Sequence, residues 1–209
     1  MIMQTCTCYS RSRRIGKVIV KDLIDAGVEV FALAKIQTNL DKLKSEIPSV
    51  NIIAVDLADW DATWNAVGKL GDFDILVNNA AFMDAKIADY AFIEIPKELL
   101  ENSIDVILKS AFNRVVAHSM IQRSSGGALI NLSRLTGVRS YKGLSSYCVS
   151  KAGMYMMKVM ALQFGPHNIR VNTVSPTSVR SEFLEKVMNS PDLKKVCEES
   201  NLCKAILWV

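Results

Sequence analysis

Short apolar runs of strand length alternate along the chain with stretches whose apolar residues recur at helical spacing. The runs are rich in β-branched residues, which predicts strands buried on both faces at 28–34, 50–55, 74–77, 128–132 and 169–174. The amphipathic stretches predict helices at 18–23, 39–47, 61–70, 97–121 and 145–164. Because helical crossovers join parallel strands, the pattern predicts an α/β fold with a doubly wound parallel sheet between two layers of helices.

No repeat, low-complexity tract or linker interrupts this pattern, which predicts a single domain over residues 1–209. Ligands of doubly wound sheets bind beyond the carboxyl ends of the strands. Four residues follow such ends in the predicted order, namely Asp56, Asn78, Ser133 and Pro176. We therefore expect a binding site at this edge of the sheet.

Composition argues against several classes of function. Half of the residues are apolar, and the net charge of +4 arises from interspersed charges of both signs rather than from the basic stripe of a nucleic-acid binder. No apolar run reaches the roughly 18 residues of a membrane span. Five cysteines and two histidines match no zinc spacing, which predicts no metal site and free thiols in the cytoplasm. A basic, acid-free stretch at 11–17 leaves a mitochondrial transit peptide as the alternative.

Tyr147 and Lys151 indicate the chemistry most directly, because they lie four residues apart in the last predicted helix. Residues at this spacing share one helical face. An ammonium group beside a phenol favours the phenolate, so we expect the pKa of the tyrosine to be lowered and the pair to exchange a proton near neutral pH. Taken alone, the pair also fits a half-exposed helix face without a function.

Four groups of residues together resemble the short-chain dehydrogenase/reductase family. In chain order they are Val55-Asp56-Leu57, residues 77–81, Asn131-Leu132-Ser133 with the later Tyr147 and Lys151, and Arg170-Val171-Asn172 before Pro176. The resemblance covers about residues 15–190. It is strongest to the L-xylulose reductase (dicarbonyl or carbonyl reductase) branch, whose members reduce sugars and α-dicarbonyls with NADPH and are usually homotetramers. It implies a Rossmann-like three-layer fold and an oxidoreductase acting on CH–OH groups.

The resemblance also implies a role for each matching residue. Tyr147 would protonate the carbonyl oxygen as hydride arrives, and Lys151 would assist it and bind the nicotinamide ribose. Ser133 is the nearest candidate for the catalytic serine of the family. The cofactor-binding positions, including both helix residues, are Gly16, Lys35, Asp56, Leu57, Asn78, Ala80, Tyr147, Lys151, Pro176, Val179 and Ser181.

Lys35, at the end of the second predicted strand, bears on the choice of cofactor. A carboxylate at this position would bind the ribose 2′-hydroxyl of NAD, whereas a cation suits the 2′-phosphate of NADP. No acidic residue occupies positions 30–40. We therefore expect the cofactor to be NADPH.

The chain departs from the family pattern at several places. Residues 9–16 stand where the family has a glycine-rich phosphate loop, and only the last two match it. Arg134 occupies the position of the catalytic serine, and Ile107 occupies that of an asparagine in the long helix. The first strand, at 5–9, is expected to be short, and the family's last strand has no counterpart. That last region supplies subunit contacts in the family, so the expected homo-oligomer is in question.

Three interpretations remain open. The first is an active NADPH-dependent carbonyl reductase for a small sugar or α-dicarbonyl, which the matching residues favour. The second is a catalytically impaired member that binds cofactor or a protein partner, which Arg134 and Ile107 favour. The third is a truncated, non-functional product. We adopt the reductase class, and the identity of the substrate cannot be read from the sequence.

Overall fold

The computed structural model describes residues 2–5, 13–82, 92–108, 114–139, 144–176, 178–179 and 206–207. Its strands are β1 (Ile2–Thr5), β2 (Val30–Ala34), β3 (Asn51–Ala54), β4 (Ile75–Asn78), β5 (Gly127–Leu132), β6 (Ile169–Val174), β7 (Ser178–Val179) and β8 (Ile206–Leu207). Its α-helices are α1 (Arg13–Asp25), α2 (Gln37–Glu46), α3 (Trp60–Gly68), α4 (Lys97–Ser103), α5 (Arg114–Arg123), α6 (Ser145–Met156) and α7 (Lys158–Phe164).

Six parallel strands form one sheet in the order β3-β2-β1-β4-β5-β6. This confirms the predicted α/β class and the doubly wound parallel sheet. The order reverses between β1 and β4, and at such a switch point the crossovers leave toward opposite faces, which opens a crevice at the carboxyl edge of the sheet. The predicted site residues follow β2, β3, β4 and β5, so the topology brings them to this one edge.

The first strand lies earlier in the chain than predicted. β1 comprises four residues, and Ile2 is level with Val30 of β2 on one side and with Ile75 of β4 on the other. The predicted strand at 5–9 is therefore wrong in position, because pairing with two central neighbours overrides the local preference of the sequence. The phosphate-loop prediction falls on residues 6–12, which lie outside the described residues, and on the start of α1.

Both long predicted helices are interrupted. The one at 97–121 consists of α4, a π-helical turn at Ile104–Leu108 and α5, with 109–113 outside the described residues. The one at 145–164 breaks at Met157, whose ψ of −7° separates α6 from α7. The apolar periodicity does not reveal this break, because Met154 before it and Met160 after it are both buried. Single π turns within helices are frequent at functional sites.

Side chains pack on both faces of the sheet. One cluster, beside α1 and α2, contains Val20, Val30, Ala32, Leu40 and Val50. The other, beside α3, α5 and α7, contains Leu76, Val116, Met120, Leu129, Met157 and Met160. Met154, Met157 and Met160 of the last long helical stretch are therefore core residues. Two packed faces make the sheet a rigid base for the side chains at its carboxyl edge.

Candidate active site

Tyr147 and Lys151 lie on one face of α6, which confirms the geometry predicted from their spacing. Both side chains are buried, with 5% and 2% of their surface exposed. The Lys151 Nζ atom lies 5.9 Å from the centroid of the Tyr147 ring. A phenol and an amine are thus held together in a site largely closed to water.

The pKa of Tyr147 is raised above 10, so the expected lowering by Lys151 is wrong in direction. Burial is the largest cause, because a phenolate loses its hydration in the protein interior. The charge and hydrogen bond of Arg134 oppose burial but do not outweigh it. The tyrosine is therefore protonated at neutral pH, which is the form that a proton donor to a carbonyl needs.

Burial also dominates at Lys151. It lowers the pKa of the ammonium group from 10.5 to about 7, and the positive charge of Arg134 acts in the same direction. The Nζ atom donates a hydrogen bond of 2.8 Å to the carbonyl oxygen of Leu132, the last residue of β5. Lys151 is therefore fixed against the strand end and changes charge near neutral pH.

The positive charge of Arg134 acts on the phenol of Tyr147. It follows β5 in an extended conformation, with φ of −162° and ψ of 160°. The flanking backbone is tied down, because Ser133 N donates to Val174 O at 2.8 Å and Leu135 N donates to Pro176 O at 3.2 Å. The Nε atom of Arg134 is buried and has no hydrogen-bond partner in the part of the chain that the structure describes.

Ser133 is directed toward the backbone of α6. Its hydroxyl donates a 2.7 Å hydrogen bond to the carbonyl oxygen of Lys151. Gly137 approaches the same carbonyl so closely that a Cβ atom there would lie 2.6 Å from the oxygen. These contacts join the segment after β5 to α6, so Ser133 acts as a tie between the two elements. The catalytic role of Ser133 stays a prediction. In this structure the Ser133 hydroxyl bonds the Lys151 carbonyl oxygen and so connects the segment after β5 to α6.

The wall around Tyr147 on the side of α4 is apolar. Ile107, 1% exposed and part of the π-helical turn, packs with Tyr147, Leu99 and Met154. An isoleucine side chain has no atom that can bind a water molecule or pass on a proton. Ile107, which stands where the family has an asparagine, is thus packed in the same cluster as the candidate proton donor Tyr147.

The predicted cofactor residues of the central strands lie at the carboxyl edge. Asn78 ends β4 and donates through Nδ2 a 2.8 Å hydrogen bond to Oδ1 of Asn131 in the neighbouring β5. The Nδ2 atom of Asn131 is buried without a hydrogen-bond partner among the described residues. Sequence reasoning assigned Asn131 no role, although a polar residue inside an apolar strand was a signal. Ala80, 2% exposed, belongs to the core beside this pair.

Lys35 and Asp56 meet at the ends of β2 and β3. Their Nζ and Oδ2 atoms are 2.5 Å apart, and both side chains are partly exposed. The other Asp56 carboxylate oxygen accepts a 3.1 Å hydrogen bond from the backbone of Ala58, and Leu57 is buried in the core. The structure thus places together a cation and an acid that the resemblance assigned to cofactor binding.

The remaining predicted cofactor residues are placed unequally. Gly16 is buried in the first turns of α1, and Pro176 lies beside the segment after β5. Val179 is described as the second residue of β7, which pairs with β8 outside the main sheet. Ser181 lies outside the described residues.

The described residues show neither a membrane-spanning helix nor a metal site. None of the helices there is long and apolar enough to cross a membrane. In the same ranges, no group of three or more His, Cys, Asp or Glu side chains is arranged to hold a metal ion. A pocket of about 480 Å³ opens between α3, α5 and α7. It is lined by Trp64, Ala117, His118, Ile121 and Phe164.

Comparison with known proteins bears on the family. A family model described as short chain dehydrogenase matches residues 10–192. The chain belongs to the short-chain dehydrogenase family. It is 38% identical over 188 residues to carbonyl reductase [NADPH] 2 of Sus scrofa, covering 88% of this chain and 75% of that protein. It is 36% identical over 208 residues to L-xylulose reductase of Homo sapiens, covering 93% and 84%.

Solved structures of the family agree with the fold. A 4-hydroxyisoleucine dehydrogenase complexed with NADH and succinate matches with a TM-score of 0.76 and 26% identity, over 90% of this chain and 82% of that one. A short-chain type dehydrogenase/reductase from Mycobacterium marinum matches with a TM-score of 0.74 and 27% identity, over 86% and 75%. The short-chain dehydrogenase chain described here is therefore an oxidoreductase that interconverts CH–OH groups and carbonyls and takes a nicotinamide cofactor.

Proposed function

We propose that the chain is an NADPH-dependent carbonyl reductase that reduces a small sugar or α-dicarbonyl. The observation that carries the proposal is the buried Tyr147, kept protonated beside Lys151 and Arg134 at the carboxyl edge of the sheet. The names of the relatives, carbonyl reductase [NADPH] 2 and L-xylulose reductase, support the same substrate class. We also propose a cytoplasmic location and a homo-oligomeric state, both from the resemblance.

The residues at the carboxyl edge fit a nicotinamide dinucleotide. The buried Asn131 amide nitrogen offers a donor that no described residue uses, and Lys35 offers a cation for a 2′-phosphate. The dinucleotide would be held by Gly16, Lys35, Asp56, Leu57, Asn78, Ala80, Pro176, Val179 and Ser181. When bound, this cofactor supplies the hydride that carbonyl reduction consumes.

Tyr147 carries the proton chemistry in this proposal. Its hydroxyl donates a proton to the carbonyl oxygen, so that the substrate leaves as an alcohol. Arg134 stabilises the resulting phenolate, because its positive charge favours the ionised phenol. Lys151 holds α6 against β5 through its bond to Leu132 and adds positive charge below about pH 7.

The test of the function combines binding and turnover. At about 100 times the Kd, NADPH is expected to add roughly 2.7 kcal/mol to the free energy of unfolding, which raises the Tm by about 5–10 °C. With 2,3-butanedione or L-xylulose as substrate, NADPH absorbance at 340 nm is then expected to fall. If NADPH does not shift the Tm and its absorbance does not fall with either substrate, the proposal is contradicted.

A catalytically impaired member is the second candidate, and a specific observation favours it. Ile107 contributes no polar atom beside Tyr147, and the Ser133 hydroxyl is bonded to the Lys151 carbonyl. Two polar groups that the family uses are therefore replaced or redirected. A rise of the Tm with NADPH, with no turnover of any carbonyl compound, would identify the chain as this kind of protein.

Preference for NADPH over NADH is expected to depend on Lys35. Changing Lys35→Asp should lower the ratio of NADPH to NADH affinity by at least about tenfold, since the cation facing the 2′-phosphate is lost. Isothermal titration with each cofactor measures the ratio. Because Lys35→Asp also places two carboxylates together at Asp56, Lys35→Gln serves as a second variant that removes the charge alone.

The exposed Lys158 on α7 gives the matched control for this experiment, since it is a surface lysine remote in sequence from the strand ends. Lys158→Asp should leave the ratio of the two affinities unchanged. An unchanged ratio in both Lys35 variants would show that Lys35 does not select the cofactor.

A further inference from the structure

Arg134 brings a second cation into a site where the family has a serine. Its charge acts on both Tyr147 and Lys151, and Ser133 and Gly137 hold the segment that carries it against α6, so a second cationic side chain lies near the proton donor. No carboxylate among the described residues contributes to the shift of either group. Positive charge concentrated in a buried site is costly unless an anion joins it.

The guanidinium of Arg134 has a hydrogen-bond donor that no described residue uses. The buried Nε–H of Arg134 has no hydrogen-bond partner in the described ranges. Arginine presents its N–H groups in a planar fork that matches a carboxylate in two parallel hydrogen bonds. The position of Arg134 is firm, because backbone bonds to Val174 and Pro176 flank it.

The place of the reacting carbonyl limits what Arg134 can touch. To receive a proton from Tyr147, the carbonyl oxygen of the substrate must lie against the phenol. A group attached to the carbonyl carbon would then lie on the side of Arg134, whose segment is held against α6 by Ser133 and Gly137. An α-dicarbonyl offers a second neutral oxygen there, and a 2-oxo acid offers the same oxygen with a negative charge.

We propose that Arg134 makes the site selective for carbonyl compounds with a carboxylate next to the carbonyl, that is, for 2-oxo acids. The inference rests on the proposed reductase function and narrows its substrate class. In the reaction, hydride from NADPH adds to the carbonyl carbon, the C=O π bond breaks, and the oxygen takes the Tyr147 proton. The products are a 2-hydroxy acid and NADP⁺, and the carboxylate on Arg134 is unchanged.

Pyruvate and 2,3-butanedione are the two substrates that test the inference. They share an acetyl group, and pyruvate has a carboxylate where 2,3-butanedione has a second acetyl group. Their kcat/KM values are compared in borate-free buffer. Borate is left out because it stabilises the adducts that 1,2-dicarbonyls form with guanidinium groups. The wild-type chain should prefer pyruvate, and Arg134→Ser should shift the ratio toward 2,3-butanedione by roughly 10²-fold. Most of the loss for pyruvate should appear as a raised KM.

Two further variants separate the role of charge from that of structure. Arg134→Lys keeps the charge without the planar fork and should retain part of the preference for pyruvate. Arg139→Ser removes an exposed arginine five residues along the same segment and should leave the ratio unchanged. A ratio that stays the same in Arg134→Ser, or a wild-type preference for 2,3-butanedione, would overturn the inference while leaving the reductase function standing.

A binding measurement keeps the inference testable if turnover is absent. Oxamate has the shape and charge of pyruvate but is not reduced, so its effect on the Tm in the presence of NADPH reports the carboxylate site alone. Oxamate should raise the Tm of the wild-type chain and of Arg139→Ser but not that of Arg134→Ser. No rise in the wild-type chain would overturn the inference, whereas a rise with no turnover would support it and contradict only the reductase function.

Discussion

Changing Tyr147→Phe is expected to lower the kcat of carbonyl reduction by about 10²- to 10⁴-fold, the range over which a positioned general acid acts. The variant loses the only atom of this side chain that can donate a proton, while the ring remains packed against Leu99, Ile107 and Met154. Binding of NADPH should change little. Stopped assays of turnover and the shift of the Tm with NADPH measure the two quantities on the same preparation.

Tyr155 provides the control for this substitution. It lies two turns further along α6, and its hydroxyl bonds Ser175 rather than Arg134. Tyr155→Phe should therefore keep most of the wild-type kcat, although it loses one hydrogen bond. Full activity in Tyr147→Phe would remove Tyr147 from the mechanism and leave Arg134 as the side chain to examine as a donor to the carbonyl oxygen.

The strands of the sheet were the most predictable part of the fold. β2 to β6 lie within two residues of the predicted bounds, because buried parallel strands have continuous apolar sequences that end in polar turns. β1 was misplaced, since its position depends on pairing with β2 and β4 rather than on its own residues. The break at Met157 was missed for a related reason, because buried side chains on both sides of it preserve the helical spacing.

At the candidate site, local spacing predicted which residues share a face but not how they behave. The i, i+4 separation was enough to place Tyr147 beside Lys151. The direction of the pKa shift of Tyr147 depends on burial under α4 and β5, which is a tertiary property. The effect of the Arg134 charge on Tyr147 and the ion pair between Lys35 and Asp56 depend on tertiary contacts between separate segments, so they could not be read from spacing.

The same burial gives Lys151 a measurable effect on stability. Its pKa is about 7 in the folded chain against the ordinary 10.5, so between these values the unfolded chain holds a proton that the folded chain lacks. The free energy of unfolding therefore rises with pH in this window, at a limiting slope of roughly 1.4 kcal/mol per pH unit from this group. Below about pH 7 the folded chain carries the full cost of a buried ammonium group.

Lys151→Met should remove this slope. The variant keeps a side chain of similar length but has no charge to bury, and it gives up the hydrogen bond to Leu132, which costs about 1–3 kcal/mol. Measured by urea denaturation at pH 7, 8 and 9, the wild-type chain should therefore gain stability relative to Lys151→Met by about 1 kcal/mol per pH unit. The free energy of unfolding of Lys151→Met, relative to that of the wild-type chain, should be highest at the lowest pH. There the buried ammonium group destabilises the wild-type chain most.

Lys158→Met is the matched control, because Lys158 is an exposed lysine on the next helix. Its unfolding free energy should run parallel to that of the wild-type chain across the three pH values. If Lys151→Met also ran parallel, Lys151 would keep its ordinary charge when folded, and Tyr147 would then lie between two permanent cations. A convergence of the curves as the pH falls would instead show that Lys151 is neutral in the folded chain above about pH 7, so that the site holds less positive charge around Tyr147 there than at lower pH.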